Sequence, residues 1–376
     1  MRSGFYFLHY IGDDCMNKST FKRFQYHFEP RSGWMNDPNG LVFFRGKYHV
    51  FFQHNPYAPH WDRMHWGHAV SEDLIHWEEL PIALYPDQDY ENEGGCFSGC
   101  AVVKDDRLYL FYTSVSHERK QTQSVVFSDD GIHFVKYEGN PVISKNPLGY
   151  PDFRDPKVAQ FGEIYYMVAG TGDQESGKVL LFSSLDLLNW NYEGVLFEGR
   201  EFAPCIECPD FFRMGNKYVL MFSRMNMSER STYFVIGDFR NGQLLDFVIS
   251  RPEWGPDFYA PQTFFDGKRR IMIGWMYHWG KTAPVGCPFA GALSVPRELT
   301  LSEGKMLNFP VSEARQLLKK SSPYVVRDGD ALRLVNRCGD VIRQVDSGDV
   351  VDILEDTKSV EVFVNNGEAS FSYWLD

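Results

Sequence analysis

The sequence predicts an all-β protein: a five-bladed β-propeller followed by a smaller C-terminal domain of strands and turns. Three observations predict it. Short runs of aromatic and β-branched residues recur in pairs across tight turns. A second signature follows three of those pairs. No long amphipathic helical pattern interrupts them. The 376 residues are too many for one ordinary core and suit one large domain with a smaller one. They divide into an N-terminal extension at 1–24, a propeller at 25–310 and a smaller C-terminal domain at 311–376.

At the N-terminus, MRSGFYFLHYIGDDC is briefly apolar but breaks at Asp13 and Asp14, without the core or cleavage site of a secretory leader. Five similar segments then follow: KYHVFFQ at Lys47, RLYLFYT at Arg107, IYYMVAG at Ile164, KYVLMFS at Lys217 and RRIMIGW at Arg269. Each follows a Gly, Asp or Asn turn, and an apolar run precedes each turn, so the unit is a hairpin. SEDLIHW (Ser71–Trp77) and SLDLLNW (Ser184–Trp190) share S-x-D-L-x-x-W, and SDDGIHF (Ser128–Phe134) is a weaker copy. This signature marks a third strand leading to a fourth, outer one. Units of roughly 50–60 residues with four strands each have the sequence shape of a propeller.

The stretch GWMNDPNG, Gly33–Gly40, has the composition of a tight turn. Its place in the repeat gives it a second meaning. Asp37, Ser98, Asp155 and Glu207 each lie eleven residues before the tyrosine of their unit: Tyr48, Tyr109, Tyr166 and Tyr218. In the fifth unit the same place is Ala260, flanked by Tyr259. One phase of a propeller repeat is one end of its central channel, so three carboxylates converge there on strand ends. Convergent carboxylates in a chain with 16% aromatic residues suit glycoside chemistry. One carboxyl group protonates the leaving oxygen and another meets the developing oxocarbenium ion; a retaining pair sits about 5–5.5 Å apart. Crowding and partial burial would raise the pKa of the acid.

GWMNDPNG, FRDP and ECPD, in this order and spacing, resemble glycoside hydrolase family 32: invertases, sucrose-6-phosphate hydrolases and exo-fructanases. QHNPYAPHWDRMHWGHAVSEDLIHW, CFSGCAV and GALSVPRELTL support the resemblance, which runs from about Tyr26 to Leu301. It implies the five-bladed propeller and sandwich, and a retaining β-fructofuranosidase without metal or other cofactor. It also implies the separate roles. Asp37 is the nucleophile, Glu207 the acid and then the base, and Asp155 the stabiliser of the transition state. Arg154 beside it supplies a planar cation. Asn36, Gln53, Trp61, Phe97, Ser98, Tyr259 and Trp275 match positions lining the fructose pocket. Fructosyl transfer on the same scaffold, a non-catalytic sugar-binding propeller, and a related hydrolase of pentosans are the rival readings.

Other motifs carry blander expectations. Cys205-Ile-Glu-Cys208 is a C-x-x-C on an inner strand with no second pair, so packing is preferred over zinc or redox use. Cys96 and Cys100 are expected to be structural. His60, His65 and His68 with Asp62 read as a packed hydrogen-bonding shell, Trp66 and Trp77 as core, and GTGDQESGK lacks the ending of a phosphate loop. A basic subsite for a phosphorylated sugar has Arg200, Arg224 and Lys281 as candidates.

After VSEARQLLKK, a short helix or linker, the strands ALRLVN, VIRQVD, VVDILED, SVEVFVNNGE and ASFSYWLD follow, with Asn366-Gly367 as a hairpin signal. SVEVFVNNGEASFSYW resembles the last hairpin of the family's sandwich, which is usually longer, so the resemblance implies a shortened C-terminal β-sandwich-like domain. A reduced one predicts exposed apolar sheet and, with it, a homo-oligomer. The net charge of -12 disfavours nucleic acid and anionic membranes as partners, and no apolar run is long enough to span a bilayer. Seven irregularly spaced cysteines suit a reducing compartment, read as the cytoplasm. The expected partner is a small sugar: sucrose, sucrose-6-phosphate or a fructo-oligosaccharide.

Overall fold

The computed structural model describes residues 21–225, 231–346 and 350–375. Among the described residues, five sheets of four antiparallel strands in sequence order follow one another along the chain, the first and fifth each carrying one further short strand. Their first strands are Gly33–Phe44, Gly95–Lys104, Phe153–Phe161, Ile206–Met214 and Tyr259–Phe265. Every first strand turns into its second through a tight hairpin. Arg45-Gly46 and Asp105-Asp106 both take positive φ, and Gly162, Gly215 and Gly267 do so in the other three. Two left-handed residues match the twist of the flanking strands, which is why Gly and Asp sit there.

The S-x-D-L-x-x-W signature is a second turn, between third and fourth strands. In the first sheet, Ser71 Oγ accepts from Leu74 N at 2.9 Å, and Asp73 Oδ1 accepts from Ile75 N and His76 N at 3.0 and 2.8 Å. Trp77 Nε1 then donates to Leu74 O at 3.1 Å. Ser184, Asp186 and Trp190 repeat the set in the third sheet. In the second sheet Ser128 and Asp130 do the same without the tryptophan. Leu74 and Leu187 sit at φ 67° and 75°, where the weaker copy has Gly131 at 78°. Glycine takes that conformation without the strain the leucines bear.

The first strands form a ring. Each packs against the first strand of the next sheet, and that of the fifth sheet against that of the first. A short strand, Phe289–Ala290, pairs in parallel with Gly33 and Trp34 and ties the fifth sheet's excursion to the first sheet. The core lies between sheets. Phe52, Ile273 and Val295 join the first and fifth sheets, together with Phe363 from the C-terminal region. Each fully buried side chain of this size contributes about 1.5–3 kcal/mol.

Beyond the ring, Ser312–Leu317 forms a 3-10 helix. Two three-stranded sheets follow, Val325–Asp328, Ala331–Val335 and Val341–Asp346, then Val351–Asp356, Ser359–Val364 and Ala369–Trp374. Leu332 and Leu334 of one meet Ile353, Val362 and Phe371 of the other in a shared cluster. Val326, Val341 and Val350 stay exposed. The hairpin predicted at Asn366-Gly367 joins the last two strands, and a Cβ on Gly367 would lie 2.2 Å from Asn308 O of the fifth sheet.

A buried ionic cluster pins this last sheet to the ring. Arg297, fully buried, pairs with Glu253 and Glu361. His27 bridges Asp356 and Glu361 at 2.8 and 2.7 Å. Burial opposes charge on His27, but hydrogen bonds and proximity to the two carboxylates outweigh it and raise its pKa from 6.5 to about 9. A raised histidine stabilises the fold fully below pH 6.5, and that stabilisation is lost as pH rises through 9. His27→Gln should therefore be less stable than wild type at pH 6, with the gap shrinking by on the order of 3 kcal/mol towards pH 10. Urea unfolding across this range tests it, and a gap constant with pH would show that His27 carries no charge.

Candidate active site

Each of the five innermost strands breaks register near its start. The shifts fall between Met35 and Pro38, Cys96 and Gly99, Glu207 and Asp210, and Tyr259 and Gln262; the third lies opposite Arg154–Lys157. A bulge re-aims side chains that strict alternation would send to opposite faces. Asp155, Cys208 and Ala260 take φ of 63°, 48° and 47° there, strain of the kind that collects at functional sites.

The result is a cavity of about 350 Å³ at this end of the ring. It is lined by Asp37, Asp155 and Glu207, and by Asn36, Gln53, Trp61, Phe97, Ser98 and Arg154. Asn36 Nδ2 donates to Asp37 Oδ1 at 3.0 Å, and Ser98 Oγ to Oδ2 at 2.7 Å. Trp34 Nε1 donates to Asn36 Oδ1 at 2.7 Å and so sets the amide's orientation. Gln53 is fixed by its bond to Cys96 O at 2.9 Å. Trp61 and Phe97 meet edge to face at 6.1 Å, forming an apolar wall.

Burial raises the pKa of Asp37; the Asn36 and Ser98 bonds oppose that rise and the charge of Glu207 adds to it. Asp155 accepts from Cys208 N at 2.8 Å, and its own N donates to Thr113 Oγ1 at 2.9 Å. Burial lifts its pKa to about 7; Arg154 pulls it down while Glu207 and Asp37 push it up. Arg154 Nη2 holds Glu207 Oε1 at 3.1 Å, and Nη1 binds Asp152. Tyr259 Oη bonds Glu207 Oε2 from behind. Glu207 is thus gripped on both oxygens.

Two expected pocket residues stand elsewhere. Tyr259 is buried behind Glu207, and Trp275 is fully buried beneath the wall, because its strand turns it into a cluster with Trp34 and Tyr277. Trp279 lines the cavity, stacked on Trp34 at 5.6 Å. Glu118, Arg119 and Asp152 also line it, from connections outside the repeat phase, and so does Gln121 from the start of the strand Lys120–Ser128. Cys208 touches the acids rather than merely packing beside Glu207: its Sγ lies 3.4 Å from Asp37 Oδ2 and 3.6 Å from Asp155 Oδ2. Burial and the surrounding carboxylates hold its thiol well above the usual range, protonated. Arg200, Arg224 and Lys281 are absent from the lining; Lys281 is turned to Asp257 and Trp374 O. The histidines are dispersed: His68 bonds His49 at 3.0 Å and His65 faces Arg63 O. Among the described residues no group of three His, Cys, Asp or Glu is placed to hold a metal.

Paired, oriented carboxylates in an aromatic-walled cavity of this size define a site for cleaving sugars. Residues 27–310 match the model of the glycosyl hydrolases family 32 N-terminal domain, and the chain belongs to that family as a glycoside hydrolase. It is 35% identical over 423 residues to a sucrose-6-phosphate hydrolase of Escherichia coli, covering 92% of this chain and 88% of that one. That alignment is longer than this chain, so the relative carries stretches absent here. A levanase of Bacillus subtilis is 38% identical over 339 residues, covering 80% of this chain and 48% of the levanase. The solved structure of a family 32 beta-fructofuranosidase from Bombyx mori superimposes with a TM-score of 0.82 at 31% identity, covering 94% and 89% of the two chains.

The raised Asp155 predicts a pH-dependent cost. The unfolded carboxyl ionises near 3.8 but the folded one only near 7. The stability it lends is fully present below pH 3.8 and lost as pH rises through 7. Asp155→Asn should match wild type in stability near pH 4 and exceed it by on the order of 2–4 kcal/mol at pH 8. Thermal melts of both across that range check this; a difference independent of pH would contradict it.

Proposed function

We propose that this glycoside hydrolase is a retaining, exo-acting β-fructofuranosidase working through a covalent fructosyl-Asp37 intermediate. One observation carries the reading: Asp37, held by Asn36 and Ser98, shares a single cavity with Glu207, held by Arg154 and Tyr259. The relatives named sucrose-6-phosphate hydrolase and levanase, and the beta-fructofuranosidase structure, support the substrate class.

Glu207 gives its proton to the glycosidic oxygen while the Asp37 carboxylate attacks the fructosyl anomeric carbon; that C–O bond breaks and the leaving sugar departs. Glu207, now ionised, takes a proton from water, which attacks the same carbon, frees fructose and regenerates Asp37. Asp155 stabilises the transition state through the fructosyl hydroxyls, its position fixed by the Cys208 amide. The ring of five sheets, residues 25–310, is read as a five-bladed propeller, and residues 311–376 as a reduced sandwich. Free thiols at Cys96, Cys100, Cys205, Cys208 and Cys287, all buried, suit a cytoplasmic setting.

Arg154 is already committed to Asp152 and Glu207. Among the described residues of the lining, Arg119, over Trp61 at 5.8 Å, is the other cation and the one available for a substrate phosphate. The test is fructose release from sucrose, sucrose-6-phosphate, 1-kestose, inulin and levan by wild type, Asp37→Ala and Arg119→Ala. Wild type should release fructose and Asp37→Ala none. Arg119→Ala should raise KM for sucrose-6-phosphate about tenfold and leave sucrose unchanged. Release by Asp37→Ala would remove it as nucleophile, and oligosaccharide products at high sucrose would favour fructosyl transfer.

A further inference from the structure

The ring has a second mouth. The innermost strands that begin at the acids end around another cavity, of about 580 Å³, lined by the later residues of all five. The two cavities share no lining residue, although on the third strand Asp155 of one and Lys157 of the other are only two residues apart.

Its charge is opposite. The acid mouth carries Asp37, Glu118, Asp152, Asp155 and Glu207 against two arginines. The far mouth carries Lys157, Arg213 and Arg270 against a single carboxylate, Asp210. Lys157 and Asp210 neutralise each other at 2.9 Å. Arg270, across the ladder from Phe265, has no carboxylate within salt-bridge distance among the described residues. Its Nη1 donates to Thr263 Oγ1 at 3.3 Å. The guanidinium lies over the Phe212 ring at 4.6 Å and the Phe265 ring at 5.8 Å. Burial lowers the pKa of Arg270, and the charge of Asp210 opposes that only in part. A surplus of cations on apolar walls, in a chain of net charge -12, is a local reversal of the protein's field.

We propose that the far mouth binds a small organic oxyanion, a phosphate or carboxylate on a ring-shaped or apolar body, with Arg270 as its main anchor. The planar guanidinium suits two oxygens of such a group, and half-buried Phe161 with exposed Phe265 suits the body. The site is independent of the fructoside reading, because it shares no lining residue with the catalytic cavity.

Calorimetry with phenyl phosphate and benzoate, in saturating fructose to fill the acid mouth, tests the proposal. Wild type and Arg119→Ala should bind at least one of them alike, and Arg270→Met about tenfold more weakly. Phenyl phosphate alone, benzoate alone or both binding decides which oxyanion is preferred. No binding by wild type, equal binding by Arg270→Met, or loss on adding fructose would overturn it. A crystal of wild type soaked in phenyl phosphate gives the answer should Arg270→Met fail to fold. Phosphate oxygens on Arg270 support the site, and their absence there contradicts it.

Discussion

A regular β-strand sends successive side chains to opposite faces, so it cannot bring neighbouring residues to one point. The bulges in the five innermost strands remove that restriction at one level of the ring. They let Asn36 and Asp37, adjacent in sequence, both reach the cavity, and they place Arg154 and Asp155 together on its third side. The left-handed backbone of Asp155, Cys208 and Ala260 is strain held by the hairpins and inter-sheet cores outside it. Without the closed ring, nothing would keep those strand ends convergent.

The same convergence sets the electrostatics. Asp37, Asp155 and Glu207 are brought out of bulk water beside one another, and each is answered by named donors: Asn36 and Ser98, the Cys208 amide, and Arg154 with Tyr259. Donors fixed before substrate arrives need little rearrangement during reaction. The cost falls on stability, with a carboxyl at Asp155 that resists ionising up to about pH 7. The C-terminal sheet, locked to the fifth sheet through Arg297, Glu253 and Glu361, braces the ring from outside the site.

What was legible in the sequence was what repeats or what is local. The hairpins showed because Gly46, Gly162 and Asp105-Asp106 mark their turns in the residues themselves. The S-x-D-L-x-x-W turns showed because one bond set needs one spacing. The acids and Ser98 share a phase of the repeat, so spacing alone implied their meeting at one mouth. Their division into nucleophile, stabiliser and acid rested on family resemblance alone. Trp279, Glu118, Arg119 and Asp152 were missed because they sit on connections with no repeat phase. The family resemblance puts Trp275 in the pocket lining, and the sequence does not say which of two tryptophans, four residues apart, the turn of the chain presents there. The Arg297 cluster joins residues far apart in sequence, beyond the reach of any local pattern.

The proposed covalent fructosylation of Asp37 can be trapped directly. Glu207→Gln, incubated with a fructoside whose leaving group needs no proton, should form the intermediate and then lack the base that discharges it. Rapid quenching, proteolysis and mass spectrometry should find one fructosyl residue on the peptide containing GWMNDPNG, attached at Asp37. An unmodified peptide despite release of the leaving group, or the sugar attached elsewhere, would contradict the account.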